Sequence, residues 1–280
     1  MNAGHVRGNA DGSTASRLDI DEKPMTTPQI AACQFEPTID HPKANYERIA
    51  EIVSNLDDRV ALAAFPELCV TGYDLASVTE HAMSVPGALT EPLVDIAANQ
   101  DTALVVGLPE RDGDKLYNDL VLVDGTGVQT VCRKRYLWGE EESVFNEGTE
   151  FTTCETAVGT VGFLICYDLN FPEAALGDAH EICDVLVVSA AWRTEFLDDW
   201  KLLLRARALD GTCYVVGSNH VGEQCGRNHA GHSLVVNPRG KIADIIDKEQ
   251  GAVTGTVSAI ELERARERNP VSSFRSEVFE

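Results

Sequence analysis

The chain has 280 residues, with 45 acidic against 23 basic side chains, a formal net charge of −22 and an isoelectric point near 4.6. That excess of anions excludes nucleic acid as the principal partner, because phosphate binding draws on a Lys/Arg surplus to release counterions, and it disfavours an anionic membrane surface. With 44% hydrophobic and 24% charged residues, the composition is that of a globular protein with a sizeable core.

Residues 1–27 are rich in Gly, Ala, Ser, Asn and Asp without apolar periodicity, and are expected to form a disordered extension. They contain no apolar core of a secretory leader, and no run in the chain approaches 18 apolar residues, so a cytoplasmic location is expected. From Gln29 short apolar runs alternate with amphipathic stretches. Residues 30–35 read as a strand, and Tyr46, Ile49, Ala50 and Val53 follow the spacing of one helix face. Residues 60–65 form a buried strand that stops at Pro66-Glu67. Further strands are predicted at 103–108, 119–123, 128–133 and 161–166. Phe171-Pro172-Glu173 opens a helix, with Pro near its first turn. A strand at 184–189, a helix at 196–209 and strands at 213–218, 233–237, 242–246 and 252–257 follow. A last helix, 260–268, releases a tail at 269–280. Without linker or repeat after residue 27, one α/β domain over residues 28–268 is expected.

The eight cysteines show no C-x-x-C spacing and several lie inside apolar runs, so free thiols in a reducing compartment are expected. Only seven of the 23 cations are lysine. A chain so acidic and so poor in lysine is expected to be adapted to high salt, where screening to roughly 3 Å at molar ionic strength removes self-repulsion.

Three predicted strand ends deliver reactive groups. In Phe65-Pro66-Glu67-Leu68 a carboxylate follows an apolar strand, where desolvation raises its pKa toward that of a general base. In Cys132-Arg133-Lys134-Arg135-Tyr136 one of the few lysines ends a strand; it suits an oxyanion stabiliser, with its pKa lowered if the flanking arginines crowd it. A charged edge strand is the plainer reading of that window. In Ile165-Cys166-Tyr167-Asp168-Leu169-Asn170-Phe171-Pro172-Glu173 a strand runs into a cysteine, a tight turn and a helix. Such an elbow exposes a nucleophile to backbone N–H groups that can lower its pKa. Taken singly, Glu67 also reads as a loop acid and Cys166 as a buried strand thiol. Cys225, His229 and His232, with His220 upstream, have spacings compatible with zinc.

Together these windows resemble the carbon-nitrogen hydrolase (nitrilase) superfamily, whose catalytic set is Glu, Lys and Cys. The matching segments are Phe65-Pro-Glu-Leu with Thr71-Gly72-Tyr73, Arg133-Lys-Arg-Tyr-Leu, and Ile165 to Glu173. Asn118, Trp192, Trp200, the run 203–208, the run 214–219 and the run 231–240 extend the likeness from Ile30 to Phe279. The resemblance implies a four-layer α-β-β-α sandwich of the nitrilase type, and a homodimer or higher homo-oligomer that pairs through helices and the tail 269–280. It assigns the catalytic roles to Glu67, Lys134 and Cys166. A second carboxylate is implied before Gly148, and counting back selects Glu141, with Glu140 and Glu142 as alternatives. Tyr167, Tyr73, Asn118 and Trp192 are implied to form the oxyanion and substrate pocket. No cofactor or metal is implied, and none is expected for the Cys225–His232 segment. Tyr136 stands where the family often has His, and Glu147 where it often has Pro. The implied reaction is hydrolysis of a small amide through a cysteine thioester. N-carbamoyl amine hydrolysis, nitrile hydrolysis and a catalytically silent binding subunit are the alternatives. Selectivity is expected to lie in loops 74–88, 193–199 and 222–231.

Overall fold

A computed structural model of the chain describes Met1, residues 27–175 and residues 183–271. In chain order the elements are β1 (Gln29–Gln34), α1 (Pro42–Ser54), β2 (Val60–Ala64), α2 (Leu75–His81), α3 (Glu91–Gln100), β3 (Ala103–Asp112), β4 (Lys115–Asp124), β5 (Gly127–Arg133), β6 (Thr153–Thr156) and β7 (Gly159–Ile165). There follow β8 (Val185–Ala190), α4 (Leu197–Gly211), β9 (Tyr214–Asn219), β10 (Val221–Gln224), β11 (Arg227–Ala230), β12 (Leu234–Val236), β13 (Ile242–Ile245), β14 (Gly251–Thr256) and α5 (Ala259–Arg268).

Two six-stranded sheets face each other, ordered β14-β1-β2-β3-β4-β5 and β13-β12-β9-β8-β7-β6. β1, β2 and β3 run parallel in the first sheet, and β7, β8 and β9 in the second. Strands covered on both faces read as unbroken apolar runs, which is why these six were legible in the sequence. Alternation sorts each strand between two layers: Ile30, Leu62 and Val105 of the first sheet meet Val161, Phe163, Val187 and Val216 of the second in the central layer. Their odd-even neighbours Ala31, Ala63 and Val106 turn outward against α1 and α3 through Ile49, Val53, Leu93 and Ala97. On the far side Leu186, Val188 and Val215 pack under Trp200, Leu204 and Ala208 of α4. The result is the α-β-β-α layering expected from the resemblance.

Some expectations need correction. Residues 222–231, read as a loop, form the hairpin β10–β11. Cys225 and Gly226 are its two turn residues with φ of 50° and 73°, the signs required by a type I′ turn. Residues 74–100, left without an element, hold α2 and α3, the first capped by the Asp74 side chain on the Ala76 N–H and the second opened by Pro92. The helix expected from Pro172 is, as far as residue 175, a single 3₁₀ turn. Its continuation, most of the extension 1–27 and most of the tail 269–280 lie outside the described residues.

The first sheet is closed tightly around the end of β2. A Cβ at Gly107 of β3 would lie 2.3 Å from the Leu68 nitrogen and 2.5 Å from the Pro66 carbonyl oxygen, so only glycine lets the 66–68 backbone pass. Gly107→Ala is expected to displace the Glu67 turn and to cost about 1–3 kcal/mol of stability, as overpacking does. Urea denaturation with an unchanged midpoint would contradict this.

Candidate active site

The carboxyl ends of β2 and β5 in one sheet and of β7 and β8 in the other meet at a single edge, and each brings a polar group to it. β2 runs into Pro66-Glu67, after which Leu68 takes a left-handed φ of 47° that turns the chain away. The Glu67 side chain is fully buried. Its Oε1 accepts from Lys134 Nζ at 2.7 Å and from Asn118 Nδ2 at 2.8 Å, and its Oε2 accepts from the Ala191 N–H at 3.0 Å. His220 Nε2 donates to the Glu67 carbonyl, and Ser218 Oγ donates to Ala64 O at 2.8 Å. The end of β2 is therefore tied to the opposite sheet at three points.

Lys134 follows β5 with 1% of its surface exposed. Its ammonium lies between Glu67 and both oxygens of Glu141, each at 2.8 Å. Glu141 stands in a 3₁₀ turn, Gly139–Ser143, and is fully buried, while Glu140 and Glu142 point to solvent. It also accepts from Tyr73 Oη at 2.7 Å, the Trp138 N–H at 2.7 Å and Asn118 Nδ2 at 3.3 Å.

Cys166 begins the turn after β7 with φ of 46°, a left-handed conformation that costs a non-glycine residue roughly 1–2 kcal/mol. The buried Asp168 carboxylate holds it there. Oδ2 accepts from the Ile165 N–H at 3.0 Å, and Oδ1 accepts from the Tyr136 N–H at 2.8 Å and the Arg135 N–H at 3.2 Å. One side chain thus fixes the cysteine turn against the segment that follows Lys134.

The electrostatics follow from burial. Burial pushes the Glu67 carboxyl above the ordinary range, aided by Glu141 and opposed by Lys134 and Asn118. Burial works against the Lys134 ammonium, but Glu141 and Glu67 together outweigh it and hold its pKa well above the usual value. The flanking arginines do not lower it, contrary to expectation. Arg133 turns to Glu110 at 2.7 Å and Asp112 at 3.0 Å over the Tyr117 ring, and Arg135 reaches toward the Glu173 carbonyl. The Cys166 thiol is likewise not lowered. Burial and then the Glu67 charge push it well up, against Lys134 and the Ala191 N–H. Asp168, buried, is raised to about 6 in spite of its charge and hydrogen-bond partners.

Above these groups opens a cavity of about 210 Å³. Tyr73, Lys134, Cys166, Tyr167 and Trp192 line it, as do Trp138, Asn170, Arg193, Phe196, Asp199, Arg227 and His229. Asn118 does not. It is fully buried and hydrogen-bonded to both carboxylates, outside the lining in which the resemblance places it. Loops 193–199 and 222–231 contribute to the cavity as expected, whereas residues 74–88 do not reach it. Tyr136 stacks on Phe171 with ring centroids 3.7 Å apart and stays out of the cavity. Of the zinc-compatible residues, His220 and His229 have ring centroids 5.1 Å apart, His232 pairs with Asp247 and Cys225 is exposed. Burial lowers His220 to about 3 and His229 to about 4, leaving both rings neutral at physiological pH. Trp138 and Ala191 carried no signal in the sequence, since each owes its place in the lining to long-range packing.

A buried acid–lysine–acid cluster beside a thiol on an elbow, under a small cavity, can deprotonate the thiol and stabilise negative charge on a bound carbonyl oxygen. The family model for carbon-nitrogen hydrolase matches residues 29–267. The chain is 30% identical to a 2-oxoglutaramate amidase of Bacillus subtilis over 255 residues, covering 89% of this chain and 98% of the relative. A CN-hydrolase superfamily protein from Xanthomonas campestris, with an arsenic adduct in its active site, superposes with a TM-score of 0.82 at 25% identity, covering 89% of this chain and 97% of the other. A mutant amidase from Nesterenkonia sp. AN1, with acrylamide added to its active-site cysteine, gives 0.77 at 25% identity, over 86% and 97%.

In Asp168→Asn the Oδ1 contacts to residues 135 and 136 survive, but an amide N–H₂ faces the Ile165 N–H. The expected loss is about 1–3 kcal/mol, read by urea denaturation; an unaltered midpoint would show that Asp168 does not hold the turn.

Proposed function

The chain belongs to the carbon-nitrogen hydrolase family, and from that membership we propose that it hydrolyses the C–N bond of a small amide, releasing ammonia and a carboxylic acid. The observation that carries this reading is the burial of Lys134 between Glu67 and Glu141, beside a thiol that burial and Glu67 together keep protonated. Cys166 Sγ attacks the amide carbonyl carbon while its proton passes to Glu67, whose raised pKa suits a base that must later act as an acid. Lys134 and the backbone N–H of Tyr167 hold the oxyanion. Collapse of the tetrahedral intermediate expels ammonia, which takes the proton back from Glu67 and leaves a thioester. Water, deprotonated by Glu67, attacks the thioester; the acid leaves and the thiol is restored. Glu141 and Asn118 act through Lys134 and Glu67, and Tyr73, Tyr167 and Trp192 shape the substrate's surroundings. The acrylamide-modified cysteine of the Nesterenkonia enzyme supports the nucleophile, and the Bacillus relative supports an amide over a nitrile.

The protein is further proposed to be a cytoplasmic, salt-adapted homodimer or higher homo-oligomer. The net charge of −22 supports the salt adaptation. Leu202 and Leu209 on α4 and Ile260 on α5, exposed by 62%, 47% and 61%, support pairing through helices.

Cys166→Ala is expected to abolish ammonia release with the fold unchanged. Lys134→Arg, which keeps the charge but not the compact ammonium, should lower kcat by about 100-fold or more. Activity should fall as pH drops, because protonation of Glu67 removes the base, with the limb above the ordinary carboxylate range. Parent-level turnover in the alanine protein would refute the assignment. For the assembly, melting temperature should rise between low and molar KCl, and sedimentation should give at least a dimer. A flat salt response or a monomer would reject the respective claim.

A further inference from the structure

The hairpin β10–β11 reaches the buried charge cluster from outside it. Its turn residues, Cys225 and Gly226, are flanked by Gln224 and Arg227, which face each other across the two strands. Gln224 is buried and lies outside the cavity lining. Its Oε1 accepts from the Tyr73 N–H at 3.0 Å across 151 positions of chain, and its Nε2 donates to the Pro37 carbonyl. The Tyr73 hydroxyl in turn donates to Glu141 Oε1 at 2.7 Å, an oxygen that Lys134 Nζ also reaches at 2.8 Å. Arg227 grips the same turn from its other side, 3.1 Å from Glu140, the chain neighbour of Glu141. The two contacts differ in weight. Glu140 is exposed, so its ion pair contributes little, whereas the partners of Gln224 are buried backbone groups that are costly to leave unpaired. A second, exposed anchor stands beside them, where Glu36 Oε1 accepts from the Glu223 N–H at 3.1 Å.

We infer that Gln224 is a positioning residue for the hydrolysis: by holding the Tyr73 N–H it seats the Tyr73 hydroxyl on Glu141, and so sets how the Lys134 ammonium is shared between Glu141 and Glu67. The inference rests on the amide-hydrolase reading of the same cluster. The Tyr73 backbone fixes where its ring starts, and a small shift there, carried to the hydroxyl, spoils a hydrogen bond that is now at its preferred length. Without that donor Glu141 draws harder on Lys134, and Glu67 loses part of the attraction that opposes its burial. Glu67 then keeps its proton to higher pH, and the limb on which activity falls in acid moves up with it. Gln224 does not meet the substrate, so its loss is felt in kcat. A hairpin that was merely loosened would instead displace Arg227 and His229, which line the cavity, and change KM.

The test is a double-mutant cycle on ammonia release from whichever of butyramide, valeramide and succinamate the parent turns over fastest. Gln224→Met, close in size but without either polar contact, should lower kcat by about tenfold or more, leave KM within about threefold and move the acid limb of kcat/KM to higher pH. Tyr73→Phe should move the limb the same way. The protein carrying both changes should lose no more than about the larger single loss, since both cut one chain of contacts. Glu36→Ala, which frees the Glu223 N–H but not that of Tyr73, should keep kcat within about threefold. Gln224→Asn, which keeps an amide but is too short for both partners, gives the same cycle if the methionine protein does not fold. Additive losses, a raised KM with kcat and the limb unmoved, or an equal loss in Glu36→Ala would overturn the positioning role and leave the amidase reading standing. If no amide is turned over, the amidase reading fails, and the rate of Cys166 alkylation by iodoacetamide, followed by peptide mass, reads the same chain. Equal slowing in Tyr73→Phe, in Gln224→Met and in their combination supports it; an unchanged rate in Gln224→Met, or additive slowing, overturns it.

Discussion

The Lys134 ammonium stands 2.7 Å from Glu67 and 2.8 Å from Glu141, with all three side chains buried. Taking each ion from water costs several kcal/mol, and attraction offsets this only where the remaining donors and acceptors are also satisfied. Here they are satisfied by Asn118 from β4, Tyr73 after β2, the Trp138 N–H from the 139–143 turn and the Ala191 N–H from the end of β8. A stable cluster therefore demands that both sheets, the turn and the chain after β2 be in place together. Loss of one charge would strand the others, at roughly 3–5 kcal/mol.

The same arrangement sets the resting state of the thiol. Two carboxylates against one ammonium leave the cluster net negative, and that charge, added to burial, keeps the proton on Cys166. A thiol in this state reacts only as its proton moves to Glu67, which ties nucleophile and base into one step of the proposed mechanism. Asp168 and the left-handed φ of Cys166 then matter as geometry, since the turn must hold the sulfur beside a carboxylate it does not ion-pair with.

Several of these groups were visible in the chain, and the reasons differ. Glu67 and Cys166 each follow an apolar run, and a reactive side chain after a buried strand falls at a sheet edge wherever the sheet lies. Lys134 was visible for its rarity, but its partners were misread. In an extended strand neighbouring side chains point to opposite faces, so Arg133 leaves for Glu110 while Lys134 turns inward. The resemblance implies Asn118 as a substrate contact but carries no depth, and the structure buries the residue against Glu67 and Glu141, outside the cavity lining. The hairpin over residues 221–230 was hidden because its turn is Cys-Gly rather than Asn-Gly, and its short strands carry polar residues on both faces.

The sequence by itself determined the alternation of buried strands and helices and the elbow at Cys166, because these depend on local periodicity and on residues adjacent in the chain; the second carboxylate was implied by the family resemblance alone. Only the tertiary structure decided which charges share a dielectric. It brought Glu67, Lys134 and Glu141 within hydrogen-bond reach across 74 positions of chain, and raised the thiol's pKa instead of lowering it. Those outcomes depend on burial and on distance through space, neither of which one chain position carries.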